Sequence, residues 1–181
     1  TYQHGRYLFA ALPIWVLYGL AGWLWLWEKA GNGRQARIIK QAAGLTFALL
    51  LLLFLLLGAQ SYAQDVAFIE GEMVDAAHWL AANTPPDALI AAHDIGAIGY
   101  FAERPLLDLA GLISPEIIPL LADEVTLAAY VRASDAAYLV TAPGWEYLTL
   151  TTDPEIHLLY STDFAWTEAQ GVNGTAVYKL P

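Results

Sequence analysis

The sequence predicts a membrane α-helical segment of two transmembrane helices followed by a small α/β extracytoplasmic domain. Three observations predict it. The first 60 residues hold two long uncharged apolar runs, a short connector between them carries four of the chain's eight Lys and Arg residues, and the remainder alternates short apolar runs with helical spacings in an acidic composition. Only 14% of the 181 residues are charged, against roughly 25% in an ordinary soluble domain, so part of the chain needs non-aqueous surroundings.

From Tyr7 to Trp27 no residue is charged, and 21 residues rising about 1.5 Å each extend roughly 31 Å, the thickness of a hydrocarbon core. Trp23, Trp25 and Trp27 crowd one end, as amphipathic rings do at headgroup level. Pro13 is expected to kink this helix, because its ring removes a backbone hydrogen bond. The second run, Ala42 to Ala59, is 18 residues long and centred on an unbroken Leu-Phe-Leu tract. Neither run shows a polar stripe, which argues against two buried helices of a soluble protein. Between them, 28–41 contains Lys29, Arg34, Arg37 and Lys40 around Gly31-Asn32-Gly33. Short basic loops stay cytoplasmic, which places 61–181 on the outer side of a multi-pass cytoplasmic-membrane protein. The domains expected are therefore a hairpin over 1–60 and an outer domain over 61–181. That outer part holds seventeen of the eighteen acidic residues and only Arg104, Arg132 and Lys179, so nucleic acid is excluded as a partner.

In the outer part, helical spacing runs from Val66 to Ala82 and ends at Asn83-Thr84-Pro85-Pro86. Ala88 to Ala92 reads as a buried strand, with a short helix following Asp94. Pro105 to Leu109 reads as a second strand, Ser114 to Leu121 and Glu124 to Arg132 as helices, and Ala136 to Thr141 as a third strand. Ile156 to Tyr160 and Thr175 to Leu180 read as two more strands, antiparallel at an edge and separated by a polar loop. Alternating elements of this length build a small α/β layer structure.

Candidate chemistry gathers where strands meet helices. Asp94, Glu103, Asp108 and Glu116 fall there, and ligands collect at the carboxyl ends of strands in α/β sheets. Asp94, Glu103 and Asp108 are the candidate acceptor-binding residues. Asp94 reads more readily as a helix cap than as a ligand contact, whereas for Asp108 an internal ion pair of Arg104 with Asp108 or Glu103 weighs equally with ligand contact. His93 has no second His at ligand spacing, and there is no Cys, so neither a metal site nor a thiol nucleophile is expected. The Gly96 and Gly99 pair lacks the third glycine of a dinucleotide fingerprint, and nothing in the sequence implies a cofactor. Ser114 and Ser134 lack a His arrangement that would activate them. At the head of the first run, His4 and Arg6 are candidates for binding a lipid phosphate, the bland reading for Arg6 being a side chain snorkelling to headgroups.

Those residues carry a resemblance. Gln3-His4-Gly5-Arg6-Tyr7-Leu8-Phe9-Ala10-Ala11-Leu12-Pro13 resembles the start of a late transmembrane helix in bacterial GT-C glycosyltransferases of the GT39 type. His93-Asp94-Ile95-Gly96-Ala97-Ile98-Gly99-Tyr100-Phe101 and Asp108-Leu109-Ala110-Gly111-Leu112-Ile113-Ser114-Pro115-Glu116 look like the C-terminal extracytoplasmic domain of many such proteins. Ala10 departs from the pattern, which often has Pro there. The resemblance implies transfer of a sugar from a polyprenyl-phosphate donor to an acceptor outside the cytoplasmic membrane. It places the catalytic carboxylate upstream, in a first outer loop, so no residue of this chain is expected to be catalytic. His4 and Arg6 then face the lipid phosphate. The polar lead before the first run and the Thr1 start read as the C-terminal part of a longer chain. The lipid bilayer and the rest of that parent chain are expected partners. The rival class is a membrane-tethered extracytoplasmic binding or sensor module without catalysis.

Overall fold

A computed structural model describes residues 8–181; His4, Arg6 and the Tyr7 end of the first apolar run lie outside them. The chain divides into two compact units, Thr1–Gln60 and Ser61–Pro181. The described residues are helical with a mixed five-stranded sheet, and one helix is long and apolar enough to cross a membrane.

In the first unit, α1 (Leu12–Lys29) is an 18-residue helix. Pro13 does not kink it: the proline lies in the opening turn, where a missing N–H costs nothing and the fixed φ suits the helix. A turn through Ala30 and Gly31, the latter at φ +73°, leads to α2 (Arg34–Phe68). Trp23 of α1 meets Phe47 of α2 with ring centroids 5.5 Å apart, and Lys40 stands 5.6 Å over the Trp27 ring. No described side chain of α1, nor any of α2, is buried within the chain, so their apolar surface is left for lipid or another protein to cover.

The second apolar run ends at Ala59 and the next helical spacing begins at Val66, but helix continues from Arg34 to Asn83. Ser61-Tyr62-Ala63-Gln64-Asp65 is polar without containing a breaker, and polarity alone does not end a helix. What interrupts regularity is a π-helical turn, Ile69–Val74, between α2 and α3 (Asp75–Asn83). Within it Glu72 is completely buried. Its Oε2 accepts from the Thr175 N–H at 2.6 Å and from the Thr162 hydroxyl, while its Oε1 has no partner among the described residues. One residue earlier, Gly71 lies so close to Phe164 that an added Cβ would stand 2.8 Å from the ring Cγ. Widened π turns admit such insertions, which a regular i→i−4 ladder would not.

The sheet has the order β2-β1-β3-β5-β4. The strands β1 (Ile90–Ala92), β2 (Leu106–Asp108) and β3 (Tyr138–Thr141) are parallel, and β5 (Ala176–Lys179) runs antiparallel between β3 and β4 (His157–Ser161). Two helices cover one face: α3 and α4 (Ile95–Ala102) pack Ala76, Leu80 and Ile98 against Ile90, Ala92, Val140 and Val177. The other face takes Leu127 and Val131 of α5 (Glu124–Ala133), Leu150 of α6 (Leu148–Thr151) and Ile117 of a 3₁₀ turn (Pro115–Leu120) against Ala91 and Leu139. Strand alternation explains the division, since Ile90 and Ala92 point one way and Ala91 the other. The expected helix from Ser114 is 3₁₀ because Pro119 lies inside it. The polar loop expected before β5 contains α7 (Ala165–Ala169). A bulge at Leu159 re-aims Tyr160, which stacks on Trp79 with centroids 5.2 Å apart and donates to Asp75.

Candidate functional site

The strand order creates a switch point. From β1 the chain passes through α4 on one face to β2, then returns through α5 on the opposite face to β3 on the other side of β1. The two connections diverge at the carboxyl ends of β1 and β3, the place where open α/β sheets leave a crevice for ligands. A cavity of about 400 Å³ lies there, lined by His93 from the end of β1, Leu121, Glu124 and Leu127 from in and before α5, and Gly144 to Leu148 from the loop after β3.

Local sequence explains how that loop closes over His93. Ala142-Pro143-Gly144-Trp145 turns back on itself, with the Trp145 N–H donating to the Ala142 carbonyl at 2.8 Å. Pro143 and Gly144 occupy the central positions, and Gly144 takes φ +83°, which the third residue of a type II turn demands. The turn lays the Trp145 indole flat on the His93 imidazole, centroids 3.6 Å apart and planes 16° from parallel. Two residues on, Tyr147 sits at φ +48°, a left-handed conformation unusual for an aromatic residue, and its hydroxyl lies 3.1 Å from His93 Nδ1. Tyr147 is buried, whereas Trp145 remains about half exposed, so one face of the indole is covered by His93 and the other is open.

The electrostatics keep the centre neutral beside acidic walls. Burial holds His93 below its ordinary pKa, outweighing the opposing pull of Asp94 and Asp108. Burial, with Asp108 and Glu124 adding to it, raises the Tyr147 phenol above its ordinary value. At neutral pH the two therefore form a neutral hydroxyl–imidazole pair. Glu124 is exposed at the start of α5, with its Oε1 held by the Thr149 N–H at 2.6 Å, and Glu146 is half-buried. Among the described residues no Lys or Arg lines the cavity, and no group of three or more His, Cys, Asp or Glu could hold a metal ion. The arrangement can accept hydrogen bonds from hydroxyl or ammonium groups and offer a flat apolar surface to a ring.

The residues singled out in the sequence are placed as follows. Asp94 caps α4, its Oδ1 accepting from the Gly96 N–H at 3.1 Å. Asp108 is completely buried at the end of β2, and its two oxygens accept the N–H groups of Ala110 at 2.8 Å and Ile113 at 2.6 Å. It shapes the loop after β2 and acts on His93 and Tyr147 through its charge. Glu103 is the exposed C-cap of α4 at φ +53°. The ion pair expected between Arg104 and Asp108 or Glu103 is replaced: the guanidinium donates to the carbonyls of Ala81, Ala102, Glu103 and Thr84 and to the Thr84 hydroxyl. Carbonyls left open at the ends of α3 and α4 attract it more closely than the carboxylates do. The structure thus brings His93 into the crevice with Trp145, Tyr147, Glu124 and Glu146, four residues that sequence reasoning missed. The available signal was the Pro143-Gly144 turn directly after a parallel strand, followed by two aromatic residues.

No curated protein and no solved structure matches the chain. The family described as a domain of unknown function, DUF8728, matches residues 59–178, which reaches from within α2 into β5 and contains every element of the crevice. The chain belongs to the DUF8728 family.

Proposed function

We propose that the chain is the C-terminal part of a membrane glycosyltransferase that moves a sugar from a polyprenyl-phosphate donor to an extracytoplasmic acceptor. In this reading two spans, 7–27 and 42–59, flank a cytoplasmic loop, the bilayer covers their apolar surface, and the α/β domain lies outside and holds the acceptor. The observation that carries the assignment of the acceptor is the lining of the switch-point crevice: two carboxylates, an open indole face and, among its described residues, no cation. Such a lining suits a hydroxyl-rich acceptor and repels the phosphate of the donor. That phosphate needs a cation elsewhere, and His4 and Arg6, outside the described residues, are the candidates through the resemblance of their segment.

Kinetics of the full-length parent protein in proteoliposomes test the division. Arg6→Ala should raise the KM for the lipid-linked donor, and Trp145→Ala should raise the KM for the acceptor with the donor KM unchanged. Unchanged kinetics in both variants would remove the proposal, as would a reporter fused after Pro181 that proved to be cytoplasmic. A second reading, a membrane-tethered sensor, is favoured by one observation: the crevice is lined entirely by residues 93–148 and, among its described lining residues, holds no Ser, Thr, Cys or Lys. It predicts binding with no transfer by the parent protein.

A further inference from the structure

Resting on the reading that the crevice is where this chain holds its ligand, we propose that the ligand presents an uncharged pyranose ring, stacked on the open face of Trp145, and that Glu124 and Glu146 select against anionic sugars.

The geometry supports each part. A pyranose has one face of C–H bonds and a rim of hydroxyls, so it needs a rigid aromatic platform bordered by acceptors. Trp145 is such a platform: its other face is blocked by His93 at 3.6 Å, and the tight Ala142–Trp145 turn fixes its backbone. Backing by a second ring removes most of the indole's freedom before any ligand arrives, which lowers the ordering cost of binding. The acceptors are Glu146, half-buried beside the indole, and Glu124, anchored by the Thr149 N–H. A hydroxyl donating to a carboxylate makes a charge-assisted bond, stronger than one to a neutral acceptor. The neutral Tyr147–His93 pair adds a hydroxyl to the site without adding a positive charge. A phosphate, sulfate or uronate therefore meets two like charges and no counter-charge among the described lining residues. The cavity of about 400 Å³ matches one or two sugar rings, a small site by the standard of ligand pockets.

The test uses the 181-residue chain in detergent micelles, titrated by calorimetry and by saturation-transfer NMR. The probes are a panel of neutral methyl pyranosides (glucoside, mannoside, galactoside and N-acetylglucosaminide) and the matching glucuronide and galacturonide. At least one neutral pyranoside is expected to bind in the millimolar range, with its uronide counterpart weaker by about tenfold. Trp145→Ala should abolish binding at an unchanged melting temperature, and Trp145→Phe should retain part of it. Glu146→Gln should narrow the gap between neutral and anionic sugars. Binding of none of the neutral pyranosides, or equal binding of glucoside and glucuronide, would overturn the proposal. Transfer assays on the parent protein separate this from the enzymatic reading: pyranoside binding with no transfer leaves the sugar site standing and removes the transferase, whereas transfer with no pyranoside binding does the reverse.

Discussion

Replacing Glu72 by Ala tests how the π-helical turn is held to the sheet. In the native chain Glu72 Oε2 is the acceptor for the buried Thr175 N–H at 2.6 Å and for the Thr162 hydroxyl. Thr162 has an alternative, because its oxygen already lies 3.2 Å from the Thr175 carbonyl and its proton can turn there. The N–H of Thr175 has no such recourse, and leaving it buried and unpaired costs about 1–3 kcal/mol. The space vacated by four buried heavy atoms beyond Cβ adds a further loss, while removal of Oε1, which has no partner among the described residues, gives some back. The net expectation is a destabilisation of about 2–3 kcal/mol. For a unit of this size, that corresponds to a melting temperature lower by about 8–12 °C. Glu72→Gln keeps an acceptor oxygen for Thr175 and nearly the same volume, so its expected loss is about 1 kcal/mol or less. The assay is thermal unfolding of the full chain in detergent, followed by near-ultraviolet circular dichroism so that tertiary packing is read separately from helix content. An Ala variant within about 0.5 kcal/mol of the native chain would refute the reasoning. So would a Gln variant as damaged as the Ala variant, since the acceptor would then be irrelevant.

Three further outcomes are expected. Gly71→Ala gains helix propensity of about 1 kcal/mol but drives a methyl to 2.8 Å from Phe164 Cγ, and overpacking of this kind costs about 1–3 kcal/mol. The variant should therefore melt lower, and a higher melting temperature would show that the Phe164 ring yields freely. His93 has a folded pKa below its ordinary value of 6.5, so the unfolded chain binds the proton more readily. Its contribution to stability is full above pH 6.5 and declines as pH falls from there towards the lowered folded value; urea midpoints measured across that window should fall in the native chain and flatten in His93→Gln. Arg104→Met keeps the apolar stem but strips the carbonyls of Ala81, Ala102 and Thr84 of their shared donor. A loss of about 2 kcal/mol is expected, tempered by water at these part-buried groups, and a urea midpoint unmoved by the change would show that water replaces the guanidinium fully.

The sequence exposes the parts of this fold that depend on near neighbours and hides those that depend on distant ones. Short apolar runs ending in turn residues announce all five strands, and Asp94 announces α4 because an Asp before a helical run is satisfied by an N–H group two residues away; in the structure Asp123 caps α5 in the same way. The π turn is not legible in the same way. Its causes, Phe164 against Gly71 and Thr175 against Glu72, lie 93 and 103 residues further along the chain. The crevice shows both behaviours at once. Asp94 and Asp108 stand at strand ends as their positions suggest, yet they are engaged by backbone N–H groups. The surface left for a ligand comes from residues around them that mean little until the sheet order is known. Trp145 acquires a role only because β3 lies beside β1 rather than beside β2, which sets the Pro143-Gly144 turn directly over His93. Moving β3 to the far side of β2 would separate that turn from the end of β1, with every local preference in the sequence still obeyed. The site is thus a property of strand order, and the residues that decide strand order are the apolar ones with no chemistry of their own: Ala91 and Leu139 on one face, Ile90 and Val140 on the other.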